Sequence, residues 1–281
     1  MYAITGITGK VGGVVAQTLL QAGQPVRAIV RDAARGQAWA ARGCEVALAD
    51  MNDVPALTQA LMGAAAVFVL LPPHFDPSAG FAETRRLVAA LHSALQAARP
   101  QRVVCISTVG AQAKQQNLLS QLGLLEQGLG DLPMPITFLR PAWFMENAAW
   151  DVAPARASGV IPSFLQPLER AIPMVATADV GRTAAELLQE TWNGHRVVEL
   201  EGPRRYSPND IAACLARLLH TSVQAEAVPR ETWQCCFTAQ GMKNPDPRIR
   251  MLDGFNEGWI AFEHTTRKGT VELERVLQSL I

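Results

Sequence analysis

The sequence predicts an α/β fold, a doubly wound parallel sheet carrying a smaller, mostly helical C-terminal lobe. Three observations predict it. Short segments rich in Val, Ile and Phe alternate with longer helical patterns through about residue 140, the rhythm of repeated βαβ units. A glycine-rich stretch, ITGITGKVGG, follows the first apolar segment directly. Beyond Arg140 the alternation loosens into a helical pattern, one further strand and a mostly helical tail.

The strands are expected at 2–5, 25–30, 45–49, 66–71, 102–107 and 136–139, enough for a doubly wound sheet. Between them, Val11, Val14, Val15 and Leu19 recur at helical spacing, as do Val54, Leu57 and Leu61, and Leu118, Leu122, Leu125 and Leu129. Each stripe is expected to face the sheet. Further on, ATADVGRTAAELLQETW reads as a helix starting near Asp179 and RVVELEG as a late strand. SPNDIAACLARLL reads as a helix capped by Ser207 with Pro208 at its first position. The tail 223–281 reads as mostly helical, broken at NPDPR. These readings give a sheet domain over 1–150. A mixed segment over 151–281 adds a late strand and helices to the sheet and packs on it as a lid.

Composition narrows the function. Twenty-five basic and 25 acidic residues cancel, so no global field draws the chain to nucleic acid or to an anionic membrane. The longest apolar run, 64–73, falls far short of the roughly 20 residues of a membrane helix. The opening MYAITG enters a strand at once, without the basic and apolar regions of a secretory signal, and a cytoplasmic location is expected. Five cysteines form no C-x-x-C pair and have no histidine at ligand spacing, which suggests neither a metal site nor a disulfide framework. The vicinal Cys235 and Cys236 are read as buried thiols rather than as a redox pair.

The glycine stretch carries the chemistry. Gly6, Gly9 and Gly12 end a strand and open a helix, which reads either as a tight turn or as a cradle in which Gly6, Ile7, Thr8, Gly9, Lys10, Val11 and Gly12 hold a dinucleotide pyrophosphate. The second strand, ending RAIVRD, tips the reading to the cradle. A carboxylate there receives the ribose hydroxyls of NAD, whereas an arginine faces the 2′-phosphate of NADP. Arg31 is placed for that phosphate, with Arg35 and Lys10 as further contacts, while Asp32 either caps the next helix or approaches a ribose. NADP(H) is the expected cofactor, with NAD(H) the alternative. Ligands in open α/β sheets lie outside the carboxyl ends of the strands. That rule brings Asp50 and Met51 to the adenine, and Leu71, Pro72, Pro73 and His74 along the cofactor.

With TGITGKVG, RAIVRD, VFVLLPP, ISTVGA and TFLRPAWFMEN, the chain resembles the NmrA-like atypical short-chain dehydrogenase/reductases over about residues 1 to 260. These include bacterial NADPH-dependent quinone and dye reductases. The resemblance implies a Rossmann-type NADP-binding domain, a small C-terminal substrate lobe and a cleft between them. It also implies that Ser107, Thr108 and the segment from Pro141 to Asn147 approach the nicotinamide. Trp143, Phe144 and His74 would then line a flat, apolar pocket for a planar small molecule. Packed core aromatics are the other reading of Trp143 and Phe144.

One element is missing. Typical short-chain dehydrogenases protonate an alkoxide with a Tyr-x-x-x-Lys pair on the helix after the fifth strand. Here that helix, NLLSQLGLLEQGL, has neither residue, with Leu122 one turn before Glu126, and the chain's only tyrosines are Tyr2 and Tyr206. Lys114 and His74 read as a solvated lysine and a loop histidine. Losing a general acid costs about 10²- to 10⁴-fold in rate where a basic alkoxide forms. Quinones and extended dyes escape that penalty, so hydride transfer from NADPH to such an acceptor is the expected activity. The alternative is a non-catalytic NADP(H)-binding redox sensor acting through a protein partner.

Overall fold

Strands buried on both faces need apolar residues at consecutive positions, and the first half of this chain supplies them. In the computed structural model, which describes residues 1–281, that half forms β1 (Tyr2–Ile4), α1 (Lys10–Gln21), β2 (Val26–Val30), α2 (Ala33–Ala40), β3 (Glu45–Leu48), α3 (Val54–Leu61), β4 (Ala66–Val69), α4 (Ala82–Ala98), β5 (Arg102–Ile106), α5 (Ser120–Leu129) and β6 (Ile136–Pro141). Every residue of β4 and β6 is buried. The chain then leaves the sheet through β7 (Trp143–Phe144), α6 (Ala149–Ser158), β8 (Val160–Ser163) and β9 (Ile172–Val175). It returns with α7 (Thr177–Gln189) and β10 (His195–Glu201), and ends in β11 (Arg205–Tyr206), α8 (Pro208–Leu219), β12 (Gln224–Ala227), α9 (Trp233–Ala239), α10 (Asp246–Glu257), β13 (Arg267–Lys268) and α11 (Leu273–Gln278).

Eight strands make one sheet in the order β13-β10-β6-β5-β4-β1-β2-β3, every neighbouring pair parallel. This is the Rossmann-like α/β sheet. Period-two alternation splits its side chains between two cores. Ile4, Ala28, Val30, Phe68, Val104 and Leu139 face one core with Val11, Val15 and Leu19 of α1 and Val180, Ala184 and Leu188 of α7. Their chain neighbours Ala3, Ile29, Val67, Val103 and Phe138 face the other, with Leu57 and Leu61 of α3, Leu91 and Leu95 of α4, and Leu125 and Leu129 of α5. A third core, around Met145, Ile161, Met174, Tyr206, Trp233, Phe237 and Phe255, belongs to the C-terminal lobe. Two small sheets stiffen that lobe, one ordered β11-β9-β7 and one pairing β12 with β8. No helix is long and apolar enough to cross a membrane.

Several elements differ from the sequence expectation, each for a tertiary reason. Leu118 is not on α5, which starts at Ser120. Its amide donates to the Pro247 carbonyl at 2.8 Å, and its side chain enters the lobe core rather than facing the sheet. The helix expected to start near Asp179 does so, at Thr177, where the Glu146 carboxylate accepts the Thr177 amide at 2.9 Å from 31 residues away. The tail is less helical than expected: β12 and β13 pair with strands that no local pattern specifies. Cys235 is exposed and Cys236 partly so, against the expectation of buried thiols, and all five cysteines are free.

Candidate functional site

In the large sheet β1 has β2 on one side and β4 on the other, so the winding direction reverses there and a crevice opens above the strand ends. Thr5 stitches its floor: its hydroxyl donates to the Phe68 carbonyl at 3.1 Å and accepts the Leu70 amide at 3.0 Å. The glycine turn follows. Gly6 takes φ +62°, and its carbonyl accepts the Gly9 amide at 2.9 Å. A Cβ on Gly12 would lie 2.4 Å from the Gly6 carbonyl oxygen, so only glycine lets α1 begin this close behind β1. Gly9 caps the helix without a side chain, no acid occupies the first turn, and the amides of Lys10, Val11 and Gly12 meet no oxygen of the chain. Bare amides at the positive end of a helix fit the diphosphate of a dinucleotide. Ile7 and Val11 are buried beneath the turn, while Thr8, Gly9 and Lys10 are exposed.

The end of β2 supplies charge. Arg31 and Arg35 are exposed, and neither forms an ion pair. Asp32 turns away from a ribose role: its carboxylate accepts the Ala34 amide at 2.9 Å and caps α2. Asp50 accepts the Asn52 amide and side chain, both at 2.9 Å, and these bonds, followed by the charge of Arg31, hold its carboxyl below the ordinary range. Met51 packs against the core beside α3. Between the turn, α1 and α2 lies an open cavity of about 550 Å³ lined by Thr8, Gly9, Lys10, Gln17, Arg35, Trp39 and Arg42. Arg42, stacked 4.8 Å over Trp39, thus joins the cationic end, and sequence reading missed it. Its distance from every motif left no signal.

The other end of the crevice lies above β4, β5 and β6. Leu71 is partly buried, whereas Pro72, Pro73 and His74 are exposed. The His74 carbonyl accepts from Gln121 of α5 at 3.0 Å, which ties this loop down. Ser107 and Pro141 are brought to adjacent strand ends, where the Ser107 amide donates to Leu139 and the Val109 amide to Pro141. Thr108 is half-buried between them.

Behind Ser107 stands a network that sequence reading did not find. The Ser107 hydroxyl donates to Glu126 Oε1 at 2.5 Å. Glu126 in turn receives both Nε and Nη2 of Arg140, at 2.9 and 2.7 Å. Arg140 Nη1 reaches Glu263 at 2.8 Å, and Glu199 lies 3.7 Å away while accepting the amides of Glu263 and His264. One buried guanidinium thus stands among three carboxylates; burial lowers its pKa, and Glu126 and Glu263 outweigh that and hold it above the ordinary arginine value. The four residues come from α5, β6, β10 and the segment before β13, so no spacing in the chain announced them.

The pocket residues separate. Trp143 and Phe144 form β7 and are half-buried: Trp143 meets Phe255 edge-on at 5.2 Å, and Phe144 packs against the core of α1 and α7. Asn147 is exposed in a 3₁₀ turn over Met145–Ala148. Neither tyrosine stands in for the missing acid. Tyr2 opens β1 at the far end of the sheet, and Tyr206 is buried in the lobe, where burial and its bond to Glu272 push the phenol up to about 12. Lys114 and His74 are exposed, as loop residues are. No group of three or more His, Cys, Asp or Glu side chains could hold a metal ion.

Comparison with known proteins places the chain among NAD(P)H-dependent reductases by similarity. NAD(P)H azoreductase of Xenophilus azovorans is 28% identical over 259 residues, covering 92% of this chain and 85% of that protein. Quinone oxidoreductase 2 of Escherichia coli K12 is 29% identical over 254 residues, covering 90% and 85%. The crystal structure of the NADPH-dependent quinone oxidoreductase of Escherichia coli, complexed with NADPH, superposes with a TM-score of 0.83 at 26% identity, over 100% of this chain and 99% of that one. The NmrA-like family model matches residues 2–244, and the chain belongs to the NmrA-like family.

Proposed function

We propose that the protein is an NAD(P)H-dependent reductase that delivers hydride to a planar electrophile of the quinone or dye class, with NADPH as the preferred donor. The observation that carries the reading is the bare N-terminus of α1 together with the unpaired Arg31 and Arg35 after β2. Relatives named as an NAD(P)H azoreductase and a quinone oxidoreductase support it.

The amides of Lys10, Val11 and Gly12 would hold the diphosphate, and Arg31 with Arg35 and Lys10 the 2′-phosphate; Asp50 and Met51 would border the adenine. The reduced nicotinamide supplies the hydride. Leu71, Pro72, Pro73, Ser107, Thr108 and Pro141 would frame it, and His74, Trp143, Phe144 and Asn147 would border the acceptor. Ser107 has committed its proton to Glu126, and α5 offers no tyrosine or lysine, so the site favours acceptors that need no proton from the protein. A quinone meets that condition, because hydride addition leaves a weakly basic hydroquinone anion that water protonates. Rate then comes from holding donor and acceptor face to face.

Steady-state NADPH oxidation across a panel of quinones, dyes and simple ketones tests the reading. Turnover with quinones or dyes and little with ketones is expected. Tight NADPH binding with no turnover of any acceptor would overturn it and leave an NADP(H)-responsive binding protein.

A further inference from the structure

Several arginines of the C-terminal lobe have carboxylate partners, and partly buried Arg248 does not. Arg230 and Arg250 share Asp253, at 2.6 and 3.4 Å. Arg217 pairs with Glu274, and Arg204 and Arg205 with Glu272 and Glu201. Arg248, near the start of α10, has no carboxylate or carbonyl partner. Its guanidinium lies 4.5 Å over the Phe237 ring and 5.1 Å over the Trp150 ring, and its one polar contact is the Met242 sulfur at 3.7 Å. Burial draws its pKa below the ordinary arginine value, and no anion offsets that effect.

The position of this arginine gives it meaning. The chain segments that follow β4, β5 and β6 all meet the stretch from Lys243 to Arg248. The Asp76 carboxylate, after β4, accepts the amides of Lys243 and Asn244 at 2.9 and 2.7 Å. Leu118, after β5, donates its amide to Pro247. Trp150, after β6, lies under Arg248 itself and is 67% exposed. These contacts put Arg248 on the face of the lobe reached by the segments that follow β4, β5 and β6, and it does not line the cationic cavity beside the glycine turn. Asp76, on the same wall, already spends its carboxylate on backbone amides.

We propose that Arg248, framed by Trp150, Phe237 and Met242, is a subsite for the anionic substituent, a sulfonate or carboxylate, of a planar aromatic acceptor. The guanidinium fork donates to the anion's oxygens, and the exposed Trp150 face carries the acceptor's rings. The inference rests on the reductase reading for its meaning, but its test does not need turnover.

The test is fluorescence titration of the protein, with and without NADP⁺, using anthraquinone-2-sulfonate and the neutral 2-(hydroxymethyl)anthraquinone. Wild type is expected to prefer the sulfonate by about ten- to hundredfold, the range of a charge-assisted hydrogen-bond pair. Arg248→Met is expected to abolish that preference, and Arg248→Lys to retain part of it, because a point charge remains without the fork. No preference in wild type, or a preference that survives in Arg248→Met, overturns the proposal. The wild-type comparison decides alone if a variant does not fold. Absence of NADPH oxidation would overturn the reductase reading and leave this binding result standing.

Discussion

The Ser107 hydroxyl donates a 2.5 Å hydrogen bond to Glu126, so the serine turns only lone pairs toward the crevice. A hydroxyl held this way positions a donor group but protonates nothing. Ser107→Ala is therefore expected to lower kcat with a quinone by less than about tenfold, whereas loss of a true general acid costs about 10²- to 10⁴-fold. Steady-state kinetics with NADPH decides, and a thousandfold loss would assign Ser107 an acid role.

Arg140 is a matter of stability. Its side chain is 6% exposed and balances Glu126, Glu199 and Glu263. Arg140→Met leaves three carboxylates facing one another without a cation. Removing one partner of a buried pair costs about 3–5 kcal/mol, and urea unfolding should show a loss in that range. A loss under 1 kcal/mol, by the same scale, would mean that water already screens the cluster.

Gly12→Ala tests the phosphate cradle. The added Cβ would sit 2.4 Å from the Gly6 carbonyl oxygen and must push α1 away from the turn. The amides then no longer converge, and NADPH affinity should fall by at least about tenfold. An unchanged dissociation constant by fluorescence titration would remove the turn from the binding site.

The proposed role of Arg31 is to discriminate between cofactors, since Asp32 is occupied with capping α2. Arg31→Ser should lower the preference for NADPH over NADH by about ten- to hundredfold, with NADH binding nearly unchanged. Parallel titrations read it. Equal losses for both cofactors would mean that Arg31 contacts a part they share.

Asp151, in the first turn of α6, has no hydrogen-bond or ion-pair partner, and burial raises its pKa to about 7. Below pH 4 the carboxyl is protonated in both folded and unfolded chains, so it contributes no pH dependence there. Between pH 4 and 7 the unfolded chain binds fewer protons than the folded one, so stability falls as pH rises through that window. Asp151→Asn should therefore raise stability at pH 8, by roughly 1–4 kcal/mol, with little change at pH 4. Thermal unfolding at the two pH values measures it, and equal effects at both would show that the carboxyl ionises freely in the fold.

The sheet and its glycine turn were legible in the sequence because their signals are local. A strand such as Ala66–Val69 is apolar residue after residue, a helix such as Lys10–Gln21 repeats its valines and leucines at its own period, and the turn between needs glycine wherever backbone crosses backbone. Arg31 could be read because it ends a strand whose position the pattern already set. The role of Asp32 could not be read, since capping and ribose binding call for the same carboxylate, and only the folded position of Ala34 chose between them.

What the sequence determined by itself was the parallel α/β sheet, the dinucleotide crevice and the absence of a tyrosine–lysine pair, because each follows from neighbours in the chain. Only the tertiary structure decided that Glu126 and Arg140 stand behind Ser107, that Leu118 belongs to the lobe, and that Arg248 rests on Trp150 and Phe237 without an anion. The physical reason is separation. Glu126 lies 14 residues from Arg140, and Glu263 lies 123. A charge 123 residues away leaves no local periodicity; it acts on its partner only once the sheet and the lobe have packed.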